Sequence, residues 1–332
     1  MVHSLQSKQS NFFNGWEVVT NTSFFLYMFI GGRGIGKTYS ILKGLLEDDC
    51  RFMYVRRTDV ELKNCCKSIN NPFKTLNVDL NREVELDKAE DSYIIHEGEK
   101  TIGIGGSLST FGKFRGSDFS DIDYIVFDEF INTSPINTIK NESDMFFNMI
   151  ETVQRNREIL GKQSIKVILL ANSNRLDNGI IRTLKIGEII RRMKINKLED
   201  FKDYERGLYI GLPNANISEH KKETALYRLT KGTDFYDMAI GNDFVNDIFD
   251  DVMKIDNRKL TPIVTYENVT FYRIKDNGLL YASYRKSNCE RYTKETFRRF
   301  KINYGLLIGE FIESKCIYYE DYDLKLTVLN IF

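Results

Sequence analysis

The chain has 332 residues, more than one ordinary domain, and its 42% apolar, 28% charged composition with only 4 Pro argues against a disordered or fibrous protein. Its 47 basic and 47 acidic residues cancel, so no global field draws it to nucleic acid or membrane, and any nucleic-acid surface is local. Five cysteines without C-x-x-C pairing and three scattered histidines (His3, His96, His220) argue against a soft-ligand metal cage and suit a reducing compartment.

The N-terminal "MVHSLQSKQSNFF" lacks a signal-type apolar block. No run reaches the roughly 18 to 20 apolar residues that span a bilayer, and the chain reads as cytosolic. Phe24 to Ile30, "FFLYMFI", is a short apolar run that stops at glycines and reads as a buried strand. Helical apolar spacing follows from Thr38 to Leu46, giving strand, Gly-rich loop and helix. "RFMYVRR" (51–57) reads as a second strand, followed by a helix with Asp59 as its N-cap. "SYIIH", "TIGIG" and "LSTF", between 90 and 112, predict one or two hairpins. "DIDYIVFDEF" reads as a buried strand ending in two carboxylates, 144–158 as an amphipathic helix, and "IKVILLANSN" as another apolar strand. Strands alternating with helices imply a mostly parallel α/β sheet.

From about Pro213 a charged stretch reads as a small helical linker. Beyond about residue 251, "LTPIVTYENVTFYRIKDNGLLYASY" reads as three antiparallel strands with a turn at Asp276 to Gly278, a second domain.

Gly31-x-x-x-x-Gly36-Lys37-Thr38 matches the P-loop pattern in full, in the strand-loop-helix setting the pattern requires. Glycines let successive N–H groups face phosphate oxygens, and the helix N-terminus adds positive character. The cradle comprises Gly31, Gly32, Arg33, Gly34, Ile35 and Gly36; Lys37 is placed to reach the β- and γ-phosphates of ATP, and Thr38 to bind Mg²⁺. Such a loop needs a carboxylate on a neighbouring strand for the metal, and Asp128 supplies it, with Glu129 beside it to polarise water. An Asp-Glu pair at a strand end points to the additional-strand, catalytic-glutamate (ASCE) class of motor ATPases. Asn172 or Asn174 could sense the γ-phosphate. Arg155 and Arg157 are about 200° apart on a helix, so at most one faces a given phosphate.

Together, "FIGGRGIGKT", "RFMYVRR", "YIVFDEF", "ETVQRNRE" and "LLANS", with "KGTDFYDMAIGNDF" at 231–244, resemble the phi29-like bacteriophage DNA-packaging ATPases. The resemblance covers most of the chain from about residue 24. It implies an ATPase domain over 1–213, a helical linker over 214–250 and, over 251–332, a C-terminal α+β domain resembling an RNase H-like nuclease that lacks its catalytic acids. It implies an ATP- and Mg²⁺-dependent motor in the host cytoplasm: a homomeric ring, a pentamer, docked on the portal of a procapsid and pushing double-stranded DNA inward. In some relatives a structural packaging RNA bridges motor and portal. Arg155 matches the family's trans-acting arginine finger, and Arg115 stands where a second trans-acting basic residue is placed.

The candidate nuclease strands offer Glu267 alone, with Asp321 and Asp323 in a loop-like terminal run, which argues against two-metal cleavage. Seven basic residues, Arg285, Lys286, Arg291, Lys294, Arg298, Arg299 and Lys301, lie among Tyr284, Tyr292, Phe297 and Phe300 and form the candidate DNA-backbone contact. A second basic cluster runs from Lys185 to Lys197. The rival readings are a P-loop helicase or partition ATPase, a nuclease-bearing large terminase, and a nucleotide-sensing scaffold. Glu129 argues against the scaffold, because a pure switch needs no efficient base.

Overall fold

The computed structural model describes residues 12–89, 92–114, 118–131, 139, 141–172, 176, 178–213, 222–233, 236 and 251–332. Two compact units emerge, one made of Met1–Ile180 and Asn196–Val245, the other of Ile181–Ile195 and Asn246–Phe332.

The first unit is built on strands β1 (Leu26–Gly31), β2 (Phe52–Arg56), β3 (Val84–Ala89), β4 (Ser92–Glu97), β5 (Lys100–Ser107), β6 (Tyr124–Asp128), β7 (Lys166–Asn172), β8 (Asp200–Asp203) and β9 (Leu208–Gly211). They form one sheet in the order β3-β4-β5-β2-β6-β7-β1-β9-β8. The inner strands β5, β2, β6, β7, β1 and β9 are parallel, and β3, β4 and β8 add antiparallel edges. Strand β1 is buried along its whole length, which is why it reads as a continuous apolar run without alternation.

Helices α1 (Gly15–Asn21), α2 (Lys37–Glu47), α3 (Asp59–Cys65) and α4 (Lys74–Leu80) accompany these strands. Ile41, Leu42 and Leu45 of α2 join Tyr27, Phe29, Tyr54 and Ile168 in one core, each aliphatic side chain contributing about 1.5–3 kcal/mol on burial. On α5 (Glu142–Gln154), Phe146 packs its ring 6.1 Å from Phe127. Trp16 lies so close to α2 that a Cβ on Gly44 would fall 2.0 Å from the indole, so position 44 admits only glycine without moving α1.

Several sequence expectations are adjusted. Thr58, not Asp59, caps α3, because its hydroxyl takes the Glu61 N–H while the Glu61 carboxylate takes the Thr58 N–H. "LSTF" lies in a 3₁₀ helix (Leu108–Phe114) rather than a strand. The amphipathic helix is Glu142–Gln154 rather than 144–158.

The chain continues through α6 (Gly179–Leu184) and α7 (Gly187–Ile195), with α8 (Ala225–Leu229) later in the first unit. The expected unbroken first domain over 1–213 differs from the structure, because residues 181–195 group with the second unit. The cause is a polar tie. The Asp323 carboxylate accepts the Gly187 N–H at 2.9 Å, and the Glu188 carboxylate accepts the Tyr322 N–H at 3.2 Å.

In the second unit β10 (Leu260–Tyr266), β11 (Val269–Ile274) and β12 (Leu280–Ser283) form an antiparallel meander. Strands β13 (Glu290–Tyr292) and β14 (Ile317–Tyr319) join β10 and β12 in parallel, giving the order β13-β10-β11-β12-β14. Helix α9 starts at Phe297–Phe300, passes through a π turn (Lys301–Gly305) and continues as Leu306–Glu313; α10 is Tyr322–Ile331. The terminal acids expected in a loop therefore serve a helix, with Asp321 capping α10 through the Leu324 N–H at 2.8 Å. No helix among the described residues is long and apolar enough to cross a membrane.

Candidate functional site

The parallel strands deliver their C-terminal ends to one edge of the sheet, where ligands bind in open α/β folds. Gly31 ends β1 beside Asn172 at the end of β7, and β6 brings Asp128 to the other side of β7. The P-loop strand and the Asp128 strand are thus separated by one inserted strand, the arrangement expected of the ASCE class.

Between β1 and α2 the backbone turns at Gly34 (φ 66°) and Gly36 (φ 97°), left-handed values that suit glycine. Gly36 is the N-cap of α2 and offers no side-chain acceptor, so the first N–H groups of an eleven-residue helix are available to an anion. The buried Lys37 ammonium donates to the Gly31 carbonyl at 2.9 Å, the Gly32 carbonyl at 2.7 Å and Asn172 Oδ1 at 3.3 Å. A cavity of about 450 Å³ opens here, lined among others by Arg33, Lys37, Thr38, Asp128, Glu129 and Asn172.

Asp128 is buried, and four donors fix its carboxylate. Thr38 Oγ1 and the Glu129 N–H donate to Oδ1 at 3.0 and 3.1 Å, whereas the Tyr54 hydroxyl and Arg56 Nη1 donate to Oδ2 at 2.8 and 3.3 Å. Consecutive strand residues ordinarily point to opposite faces. Glu129 breaks that alternation with φ 53°, rare for a non-glycine residue, and both carboxylates line the same cavity. Arg56 spans the two, with Nη2 2.5 Å from Glu129 Oε2. Burial works to lower the Arg56 pKa, but Tyr54, Asp128 and Glu129 outweigh it and hold the guanidinium above its ordinary value. Burial, reinforced by the charge of Asp128, likewise raises Tyr54 well above its ordinary value.

The donor set fits a nucleotide with Mg²⁺: orphan helix N–H groups and an ammonium for phosphate, and a hydroxyl and a carboxylate as hard oxygen ligands for the metal. Tyr54 and Arg56 were not singled out from the sequence. Their signal was period two in "RFMYVRR", which puts both on one face of β2 with the arginine at the strand end.

Arg155 is the exposed residue that ends α5, with φ 42°. Arg157 is held within its own chain, donating to the Ile122 carbonyl and, at 2.8 Å, to Asp123. Arg115 and Asn174 lie outside the described residues, as does most of "KGTDFYDMAIGNDF".

The basic stretch of the second unit is divided. Lys286, Arg291, Lys294, Arg298 and Arg299 are exposed, but Arg285 is bound to Glu320 at 2.9 Å and to the Ile255 carbonyl at 2.7 Å, and Lys301 stands 4.2 Å from the centre of the Phe332 ring. Of the aromatic residues between them, Tyr292 and Phe300 are buried with their rings 5.7 Å apart, whereas Tyr284 is exposed and Phe297 half-buried. The Lys185–Lys197 cluster carries Arg191 and Arg192, both paired with Glu188 on α7.

The fold and this site define a P-loop protein of the additional-strand class. Residues 7–304 match the family described as Podovirus DNA encapsidation protein (Gp16), and the chain belongs to that family. It is 28% identical over 224 residues to the DNA packaging protein of Bacillus phage phi29 and 30% identical over 225 residues to that of Bacillus phage B103. Each alignment covers 66% of this chain but 61% and 64% of those proteins, so the chain spans less than two thirds of the curated relatives it matches. Its fold is similar to that in a structure titled "The bacteriophage Phi-29 viral genome packaging motor assembly", with a TM-score of 0.65 at 21% identity, covering 97% of this chain and 99% of that one. The same holds for "The Phi-28 gp11 DNA packaging Motor", with a TM-score of 0.64, 18% identity and 96% of each chain covered.

Proposed function

We propose that this protein is an ATP-driven motor that moves double-stranded viral DNA into a preformed procapsid. The observation that carries the reading is the convergence of Lys37, Thr38, Asp128 and Glu129 on one cavity, in a chain of the encapsidation family. Lys37 and the α2 N-terminus bind the phosphates of ATP. Thr38 and Asp128 would hold the Mg²⁺ that accompanies the nucleotide and neutralises phosphate charge. Glu129, turned into the cavity by its left-handed backbone, polarises the attacking water once it leaves Arg56, because a carboxylate held by a guanidinium is a poor base. Arg155, exposed at the end of α5, reaches a neighbouring subunit of a homomeric, pentameric ring and stabilises transition-state charge there. The portal of the procapsid and, as in some relatives, a structural RNA complete the assembly.

In this reading the second unit is an RNase H-like domain without nuclease activity that contacts the DNA backbone. Its acids have other employment: Asp321 caps α10, Asp323 holds α7, and Glu267 accepts the Lys294 N–H at 2.6 Å. ATP hydrolysis measured with and without double-stranded DNA and purified procapsids tests the proposal. Glu129→Gln should bind ATP yet hydrolyse it about 10²- to 10⁴-fold more slowly. Stimulation by single strands alone would favour a helicase and sink the packaging reading.

A further inference from the structure

A second cavity, of about 460 Å³, lies behind the first and shares Thr38, Tyr39 and Asp128 with it. Its remaining wall is built by β2, α3 and the turn before α4, with Arg56, Asn64, Cys65, Asn70 and Thr75 among its residues. The Arg56–Glu129 ion pair spans the partition, since Glu129 lines the front cavity and Arg56 the rear one.

Arg56 carries an unmet demand. Two of its nitrogens are taken by Asp128 and Glu129, but its buried Nε–H has no acceptor. With a buried N–H left unpartnered the guanidinium is under-satisfied in its present contacts, and Arg56 is the cationic residue that lines this wall. The carboxylates of Asp128 and Glu61 also line it, Asp128 being held by Arg56 and three other donors. Glu61 is occupied in the cap of α3, and burial pushes the Cys65 thiol up to about 11, leaving it neutral near pH 7. Asn64 and Thr75 are exposed and mark the outer rim.

We propose that the rear cavity takes up the inorganic phosphate released by ATP cleavage and is its way out while ADP still fills the front. This rests on the ATPase reading above. Arg56 is the receiving group: when Glu129 leaves it for the water, its Nη2 is released from that ion pair and can take the product. The Asp128 contact keeps the guanidinium in place throughout.

The test uses the full-length chain in a single turnover of Mg-ATP, with cleavage followed by rapid acid quench and free phosphate by a fluorescent phosphate-binding sensor. Asn64→Trp and Thr75→Trp narrow the rim, and Asn64→Asp, which keeps the size, sets a negative charge against a leaving dianion. The expected result is cleavage within about twofold of the unsubstituted protein and phosphate release slowed about tenfold, the change that a barrier higher by about 1.4 kcal/mol produces. Release that keeps pace with cleavage in all three variants overturns the proposal. Absence of cleavage in the unsubstituted protein overturns the ATPase reading and the exit route together, and the quench trace alone distinguishes that outcome.

Discussion

Replacing Tyr54 with Phe isolates one hydrogen bond at the centre of the site. The hydroxyl is fully buried and donates to Asp128 Oδ2 at 2.8 Å, while the ring, 6.5 Å from that of Phe73, keeps its packing in the variant. A hydrogen bond to an ionised acceptor contributes about 1.5–3 kcal/mol. Because Arg56 Nη1 remains on the same oxygen at 3.3 Å, the acceptor is not left bare, and the loss should sit near the lower bound, about 1.5 kcal/mol. Trp16, the only tryptophan, is in the first unit, so its fluorescence during urea unfolding reports on that unit. The midpoint should fall with an unchanged slope. The pH dependence has a definite sign. Tyr54 is raised in the folded state, so the stability its hydroxyl contributes is present below the unfolded value of about 10 and is lost as pH rises past it. The deficit of the Phe variant should therefore shrink at higher pH. A midpoint that does not move at neutral pH would show that the hydroxyl does not anchor Asp128.

Mixing Arg155→Ala subunits with Glu129→Gln subunits should restore some hydrolysis that neither variant shows alone, since an intact Glu129 can receive a neighbour's arginine; no gain where mixed rings demonstrably form would end the trans assignment. Arg157→Ala should instead lower stability, because that side chain is bound within its own chain. In the second unit, Arg285→Ala should cost about 1.5–3 kcal/mol in thermal unfolding. Burial pushes the Glu320 carboxyl up, but Ser283 and Arg285 outweigh it and hold it below the usual range, so this stability is present above about pH 4.3 and is lost on acidification through the lower folded value. An Arg285→Ala deficit as large at about pH 3 as at about pH 7 would contradict the pairing. Replacing Arg298 and Arg299 together should shallow the slope of log K for DNA against log salt by about 1.8, at roughly 0.9 per phosphate, while Lys301, held against Phe332, should contribute less.

The candidate site was legible in the sequence because its chemistry is local: Gly31 to Thr38 is one contiguous segment, and Asp128 and Glu129 end one apolar run. Asn172 could be read for the same reason, at the end of β7. What was not legible depends on strand order. Nothing in "RFMYVRR" says that β2 lies next to β6, which is what sets Tyr54 and Arg56 against Asp128. Nothing in the basic stretch told its core aromatics from its surface ones, and only packing puts Tyr292 and Phe300 inside while Tyr284 stays exposed. The short strands β8 and β9 carry too little pattern to announce themselves, and Leu208–Gly211 gains its place between β1 and β8 by pairing with both.

The interleaving of the two units changes what each can be on its own. The chain passes between them three times, after Ile180, Ile195 and Val245. A fragment cut at residue 251 keeps the meander but loses α7, leaving Asp323 without the two backbone N–H groups it holds and uncovering the face of Tyr322 that packs against Gly187. The second unit is therefore a folding partner stitched into the first, not a module appended to it. A cut at any one of the three crossings would still leave two covalent links between segments of the two units.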